Sequence, residues 1–307
     1  MTGRHEQAAV LSLVSRTDAE WHRLASFIEE IGSAERILNK AWTGFESFDF
    51  VTREEAEHLA DRVTPEELDR FHQLIDELAE DGIALFTVLD DRYPSNLRLV
   101  FNRPPFLFVR GDLNETDNHA IAIVGTRAAS TEGLHQADRL ARELASAGVT
   151  VVSGLALGID TAAHAASIDA GGRTIAVMGT GIRRPVYPKV NNALAERIAL
   201  SSGALVSQFW PDHPPSPSSF PMRNVVTSGM ALGTVVIEAS RTSGAKNQAR
   251  RALEHGKRLF LVESLVLQEQ WARDYAERPG VTVVQSVDDV LDVLVAMAKP
   301  PEQLSLS

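Results

Sequence analysis

The stretch Val151-Val-Ser-Gly-Leu-Ala-Leu-Gly-Ile-Asp160 decides the fold of this 307-residue chain. An apolar run that ends at Ser153 gives way, at Gly154, to a segment of helical composition, which is the pattern of a buried strand, a glycine turn and a helix N-terminus. Glycine lets a ligand approach the main chain closely, and free N–H groups at a helix start attract anions. Two more apolar runs end in the same way, at Gly125 and Gly179. The three turns predict a phosphate-binding edge.

Strand and helix patterns alternate regularly from about residue 118, which indicates an α/β fold with a mostly parallel sheet and helices on both faces. Such sheets bind ligands outside the carboxyl ends of their strands. The proline- and serine-rich stretch 208–220 predicts a long loop at that edge. The predicted strands are 120–124, 150–153, 173–178, 204–206, 233–238, 257–262 and 281–285, and the predicted helices are 132–147, 160–170, 190–201, 246–255, 262–271 and 287–297.

The rest of the chain divides around this core. Residues 1–80 have helical periodicity throughout, and Thr64-Pro-Glu-Glu-Leu68 is a strong helix start because threonine caps and proline suits the first position. We expect a helical N-terminal domain at 1–80, a connecting segment with short strands at 81–117, the main domain at 118–300 and a polar tail at 301–307.

The composition excludes several classes of site. The chain has no cysteine, so disulfides, thiolate zinc sites and a cysteine nucleophile are ruled out. Its apolar runs are too short to span a membrane, and its N-terminus lacks a signal-peptide pattern. We therefore expect a cytoplasmic protein that contacts no membrane, and the motifs call for no metal and no cofactor.

The net charge of −11 is unevenly distributed. Residues 120–262 contain 15 lysines and arginines against 9 aspartates and glutamates, a balance of +6, while the remainder carries 15 against 32, a balance of −17. Such asymmetry indicates either a basic, phosphate-facing core between acidic segments or acidic flanks that merely maintain solubility.

Several motifs, in order along most of the chain, resemble the DprA/Smf family of DNA-processing proteins. One glycine-turn motif alone would be weak, but eight in the same order are specific. The matching residues are Tyr93-Pro94, Pro104-Pro-Phe-Leu107, Ile121-Ala-Ile-Val-Gly-Thr-Arg127, Ser153-Gly-Leu-Ala-Leu-Gly-Ile-Asp160 with His164, Thr174-Ile-Ala-Val-Met-Gly-Thr-Gly181, Tyr187-Pro188 with Asn191, Phe220-Pro-Met-Arg-Asn224, and Val236-Ile-Glu-Ala-Ser240 with Ser243-Gly244.

The resemblance implies a Rossmann-like core preceded by a small helical domain, and a homodimer. It also implies a non-catalytic protein that binds single-stranded DNA and presents it to a RecA-type recombinase. The chain departs from the family at Val225, where a second arginine is common, and in the segments 245–249 and 262–271. We expect a divergent member without the winged-helix extension that many members carry.

The expected nucleic-acid contacts lie at the sheet edge. An arginine just past a strand suits bidentate pairing with phosphate, and an aromatic ring suits stacking of an unpaired base. Phe209 and Trp210 are either further stacking faces or anchors for the loop. The predicted binding residues are Gly125, Arg127, Gly154, Gly179, Phe220, Arg223, Asn224 and Lys246, and Arg183, Arg184 and Lys189 are possible extensions of the phosphate track.

Other readings remain open at this point. Asp160 and His164 lie one helical turn apart, which suits acid–base chemistry, although a structural role is the stronger expectation. Glu238 either contacts a ribose or holds the turn that follows it. A nucleotide sensor, a phosphoribohydrolase-like enzyme of the same fold, and a regulator encoded in a defence or toxin–antitoxin operon are the alternatives.

Overall fold

The computed structural model describes residues 3–42, 47–48 and 51–298. The α-helices are α1 (Arg4–Arg16), α2 (Trp21–Ile31), α3 (Ala34–Leu38), α4 (Arg53–Asp61), α5 (Pro65–Glu80), α6 (Ser95–Arg98), α7 (Thr131–Ser146), α8 (Ile159–Asp169), α9 (Asn192–Leu200), α10 (Ser219–Met230), α11 (Gly244–Glu254), α12 (Glu263–Gln268), α13 (Gln270–Ala276) and α14 (Val287–Ala298). The strands are β1 (Ser47–Phe48), β2 (Val51–Thr52), β3 (Ile83–Thr87), β4 (Phe106–Gly111), β5 (Ala120–Val124), β6 (Thr150–Ser153), β7 (Thr174–Val177), β8 (Ala204–Ser207), β9 (Gly233–Val236), β10 (Arg258–Val262) and β11 (Val281–Val284).

A nine-stranded sheet has the order β11-β10-β9-β5-β6-β7-β8-β4-β3. The strands from β11 to β8 are parallel, and β4 and β3 close the other edge as antiparallel strands. The chain begins the parallel part at β5, builds outward to β8, and then returns to place β9 on the opposite side of β5. Strand order therefore reverses between β5 and β9, which is where open α/β sheets form a ligand crevice.

The helices cover both faces of this sheet. Alternate residues of β5 enter different cores, because successive side chains of a strand point to opposite faces. Ala120 and Ala122 belong to a core that includes the N-terminal helices, whereas Ile121 and Ile123 belong to a core with α7, α8 and α14. The predicted α/β class with a mostly parallel, Rossmann-like sheet is confirmed.

The predicted strands and helices from residue 118 onward are present, with ends that differ by at most two residues except in the stretch 262–271. That stretch is helical as predicted, but it is divided between α12 and α13. The predicted short strands of 81–117 are β3 and β4, and they pair into the same sheet as the core. The domain limits themselves stay a prediction, and the tail at 301–307 lies outside the described residues.

Two predictions about secondary structure are wrong. The first 80 residues are not all helical, since β1 and β2 pair as a short antiparallel ladder in a stretch of aromatic and β-branched residues that favour strands. The helix α10, Ser219–Met230, was not predicted, and it takes the last two residues of the predicted loop 208–220. Pro221 falls in its first turn, where the missing N–H costs no intrahelical hydrogen bond.

The N-terminal helices pack directly on the sheet through an aromatic cluster. The ring of Trp210 lies 5.1 Å from that of Phe106, 5.6 Å from that of Phe71 and 6.1 Å from that of Trp21. Phe209 is buried and stacks on His213. Of the two roles considered for Phe209 and Trp210, the structure favours the anchoring one. No helix in the described ranges is long and apolar enough to cross a membrane.

Candidate functional site

A cavity of about 540 Å³ opens at the switch point, beyond the carboxyl ends of β5, β6 and β9. We call it the switch-point cavity. The loop after β5, the loop after β6, the first turns of α10 and the N-terminal turns of α11 form its walls. Of the predicted site residues it contains Gly125, Arg127, Gly154, Phe220, Arg223 and Asn224.

Arg127 and Phe220 lie together on the wall of the cavity. The guanidinium carbon of the exposed Arg127 is 5.3 Å from the ring centre of Phe220, which suits a cation–π contact. The ring of Tyr187, half exposed, lies 5.6 Å from the Phe220 ring on the loop that follows β7. Arg127 forms no ion pair with a carboxylate in the described part of the chain. An uncompensated cation therefore lies beside an accessible aromatic ring.

Arg223, by contrast, is directed inward. Its side chain is 7% exposed, and its Nη1 donates a hydrogen bond to the Val177 carbonyl oxygen at 2.9 Å. Burial lowers the pKa of Arg223, and the nearby Asp160 carboxylate opposes that shift. An arginine remains protonated even so. Arg223 thus contributes buried positive charge to the cavity floor rather than a surface contact.

The three turn glycines make room for protein side chains. A β-carbon on Gly125 would collide with Ile159, one on Gly154 with the Arg223 guanidinium, and one on Gly179 would lie 2.7 Å from the Phe220 ring. Packing within the protein is therefore enough to explain why each position is glycine. A contact between these glycines and nucleic acid stays a prediction.

The amide of Gly154 is already engaged, since it donates to Asp160 Oδ2 at 3.1 Å. Asp160 also accepts from the Ala156 amide at 3.3 Å. The expectation that the Gly154 N–H is free to bind phosphate is wrong for this reason. Burial raises the pKa of Asp160, against the pull of Arg223.

His164 is fully buried, and its Nδ1 lies 2.7 Å from Thr174 Oγ1. Burial, together with the positive charge of Arg223, lowers the pKa of His164 to about 3. The imidazole is therefore neutral at physiological pH and has no access to solvent. These contacts match the structural role expected for Asp160 and His164.

Two predicted binding residues, Gly179 and Lys246, lie outside the cavity wall, and so do the possible extensions Arg183, Arg184 and Lys189. Gly179 does not line the cavity, but it lies against Phe220, which does. Lys246 is on α11, but its ammonium lies 5.8 Å above the Trp271 ring. Arg183, a possible extension of the track, is paired with Glu77 and Asp81. Because the charges of Lys246 and Arg183 face other elements, the phosphate track is shorter than the sequence suggested.

Glu238 holds the start of α7. Its Oε2 accepts hydrogen bonds from the Ser130 amide at 3.0 Å and from Ser130 Oγ at 2.9 Å. The residue lines a second cavity, of about 260 Å³, and not the switch-point cavity. The described residues contain no group of three or more histidine, cysteine, aspartate or glutamate residues placed to hold a metal ion.

The sequence reasoning missed the polar wall contributed by α11. Asn247 and Gln248 line the switch-point cavity, and Ser243 caps the helix by accepting from the Ala245 amide at 3.1 Å. The departure at 245–249 was visible in the sequence, but nothing there indicated which side chains of the helix face the cavity.

Residues 84–294 match the family model described as DNA recombination-mediator protein A. DNA processing protein DprA of Bacillus subtilis is 34% identical over 222 residues, which cover 70% of this chain and 72% of that protein. DprA of Streptococcus pneumoniae is 37% identical over 182 residues, covering 59% and 64% of the two chains. Protein Smf of Escherichia coli is 40% identical over 168 residues, covering 55% and 45%. The matched region therefore spans about half to three quarters of the length of these relatives.

Solved structures agree with the fold. The crystal structure of DNA processing protein A from Streptococcus pneumoniae superimposes with a TM-score of 0.70 at 26% identity, covering 95% of this chain and 98% of that one. A structure of DNA processing protein A from Helicobacter pylori, described for its single-stranded DNA binding mode, gives a TM-score of 0.61 at 24% identity and covers 70% and 96%.

Proposed function

Because the chain belongs to the DNA recombination-mediator protein A family, we propose that it binds single-stranded DNA at the switch-point cavity and acts as a recombination mediator. It is a DprA-like DNA-processing protein, and its similarity to DprA and Smf proteins supports this proposal. The bound strand would be presented to a RecA-type recombinase in the cytoplasm.

The pairing of Arg127 with Phe220 is the observation that carries the proposal. An unpaired guanidinium suits a phosphate oxygen pair, and a neighbouring ring suits the flat face of an unstacked base. A nucleotide within a single strand presents both groups at once, whereas the bases of a duplex are stacked on one another.

A phosphoribohydrolase-like enzyme is the second candidate, and the carboxylates argue against it. Glu238 accepts two hydrogen bonds from Ser130 outside the switch-point cavity. Asp160 reaches the cavity wall but is engaged with two backbone amides. Glu238 therefore lies away from the proposed binding cavity and Asp160 is held by the main chain, so a non-catalytic binder is the better-supported proposal.

A salt titration tests the proposed binding. Each phosphate neutralised on a single strand lowers the slope of log affinity against log salt concentration by about 0.7, so the phosphate contact proposed at Arg127 gives a slope of about −0.7. The measurement is fluorescence anisotropy of a labelled oligodeoxythymidylate at several salt concentrations, with a duplex of equal length beside it. An affinity that does not change with salt concentration, or one that is higher for the duplex, contradicts the proposal.

A further inference from the structure

A second aromatic ring lies exposed beside Phe220. The ring centre of Tyr187 is 5.6 Å from that of Phe220, and Tyr187 is 50% exposed. Phe220 is less exposed, and the Arg127 guanidinium already lies over its ring. Tyr187 therefore presents an accessible aromatic surface next to the switch-point cavity.

The loop that carries Tyr187 is held at both ends. We call it the β7 loop, residues 182–191. Near its start, the Arg183 amide donates a hydrogen bond to the Pro211 carbonyl oxygen at 3.0 Å. At its end, Asn191 Nδ2 donates to the Leu155 carbonyl oxygen at 2.9 Å, which ties the β7 loop to the loop after β6. Because the loop is already held, placing the Tyr187 ring against a ligand costs little conformational entropy.

Two cations flank the ring on the same loop. Arg184 and Lys189 are exposed, three residues before and two residues after Tyr187. In the part of the chain that the structure describes, neither of them forms an ion pair with a carboxylate. Proteins bind single strands by combining aromatic rings, on which bases stack, with cations that follow the phosphates. The β7 loop has both kinds of group.

The placement of the two rings determines what can cover both of them. Nucleotides in a stacked strand rise by about 3.4 Å each, which is less than the 5.6 Å between the ring centres of Tyr187 and Phe220. The two rings are also inclined by 44° to each other, whereas stacked bases are parallel. Two bases that stay stacked on one another therefore do not match the pair of rings. Neighbouring bases match it when they are separated, as in an extended single strand.

We propose that Tyr187 is a second stacking face, which takes the base next to the one on Phe220, and that the strand leaves the switch-point cavity along the β7 loop. This inference rests on the proposed binding of single-stranded DNA at that cavity. Arg184 and Lys189 contact phosphates on this side. The site therefore spans at least two neighbouring nucleotides, and it tolerates any sequence because every base has a face that can stack.

Two strands of equal length and equal phosphate number isolate the second base. Both are abasic except at the centre, where one carries a single thymine and the other carries two adjacent thymines. By fluorescence anisotropy, the wild-type protein should bind the two-thymine strand about five-fold to more than a hundred-fold more tightly, the range for stacking of one base on an aromatic ring. Tyr187→Ala should lose this gain, because only the Phe220 ring then remains.

Three further variants separate the ring from its surroundings. Tyr187→Phe keeps the ring and should keep the gain. Tyr187→Leu keeps an apolar contact with Phe220 but has no ring, so it should lose the gain as Tyr187→Ala does. Phe101→Ala is the matched control and should keep the gain, since Phe101 is 57% exposed on a loop, lies edge-on to the His22 ring and does not line the switch-point cavity.

Salt dependence tests the path along the β7 loop. Arg184→Ala and Lys189→Ala should each make the slope of log affinity for oligodeoxythymidylate against log salt concentration about 0.7 less steep, because each removes one phosphate contact. Tyr187→Ala should lower the affinity and leave the slope unchanged, since stacking neutralises no phosphate.

The outcomes distinguish this inference from the function on which it rests. A second thymine that adds no more than the doubled number of thymines explains, or a gain that persists in Tyr187→Ala and Tyr187→Leu, overturns the second stacking face and leaves single-strand binding intact. Unchanged slopes in Arg184→Ala and Lys189→Ala overturn the path along the β7 loop. Failure of the wild-type protein to bind oligodeoxythymidylate overturns this inference and the proposed function together.

Discussion

The position of the Phe220 ring depends on Gly179, which is 41 residues away in the chain. The ring fits at the switch-point cavity because Gly179 has no side chain, and it supports the Arg127 guanidinium on one side and the Tyr187 ring on another. The geometry of the charged and aromatic pair thus depends on a residue that touches neither solvent nor ligand. Gly179 is a positioning residue in this account.

Gly179→Ala should therefore weaken DNA binding without changing any charge. The added methyl group would lie 2.7 Å from the Phe220 ring, so the ring must shift. Overpacking of this kind costs about 1–3 kcal/mol of stability. We expect a lower melting temperature and a weaker affinity for oligodeoxythymidylate by anisotropy. Gly3→Ala, where the space is open, is the control, and equal affinities for both variants would contradict the positioning role.

At the scale of elements, the parallel strands were the easiest feature to predict. Strands buried on both faces are continuous apolar runs, and a glycine that marks the turn follows each of β5, β6 and β7 within two residues. The helix α10 was not predicted at all, because prolines and serines precede it and Pro221 falls in its first turn. The family resemblance predicted that Arg127, Phe220 and Asn224 belong to one binding site, and all three line the switch-point cavity.

What the sequence could not supply is the direction of side chains on helices. Lys246 and Gln248 are two residues apart on α11, yet Lys246 lies over Trp271 while Gln248 lines the switch-point cavity. Because of its charge, Lys246 was the residue of α11 predicted to bind nucleic acid. Which face of α11 meets the cavity depends on the packing of that helix against α10 and β9, and these contacts join segments that are distant in the chain.

At the scale of the whole molecule, part of the acidic flank is bound to the basic core. Glu77 and Asp81 pair with Arg183 of the basic core, whereas Glu29 of α2 pairs with Arg98 and Arg103 within the flank itself. The N-terminal segment therefore neutralises Arg183, which would otherwise extend the positive surface. This leaves Arg127 as a cation whose charge is available to a ligand.

The opposite edge of the sheet offers a surface for a second copy of the chain. Among the described residues, β11 is an edge strand with one side of its backbone unpaired, and Val283, Val295 and Met297 are 40%, 59% and 41% exposed at this end of the sheet. We propose that the expected homodimer forms at this edge. Sedimentation at tens of micromolar, about the regime of weak self-association, should show a dimer that Val283→Lys dissociates. A strict monomer in the unmodified protein would remove the proposal.

The affinity of Arg127→Ala for single-stranded DNA is the sharpest test of a DNA-binding site at the switch-point cavity. Arg278 is a matched control, because it is also exposed, also lies over an aromatic ring, that of Tyr275 at 4.0 Å, and is remote from the switch-point cavity. Both substitutions remove one positive charge and one cation–π contact. Only Arg127→Ala removes the proposed phosphate contact.

We predict that Arg127→Ala weakens binding of oligodeoxythymidylate by about ten-fold to more than a hundred-fold, the loss expected for charge-assisted hydrogen bonds to phosphate. Arg278→Ala should bind within about two-fold of the wild-type protein, as expected for a surface charge outside the interface. Equal affinities for the two variants, whether both are unchanged or both are reduced, would contradict a DNA-binding site at the switch-point cavity.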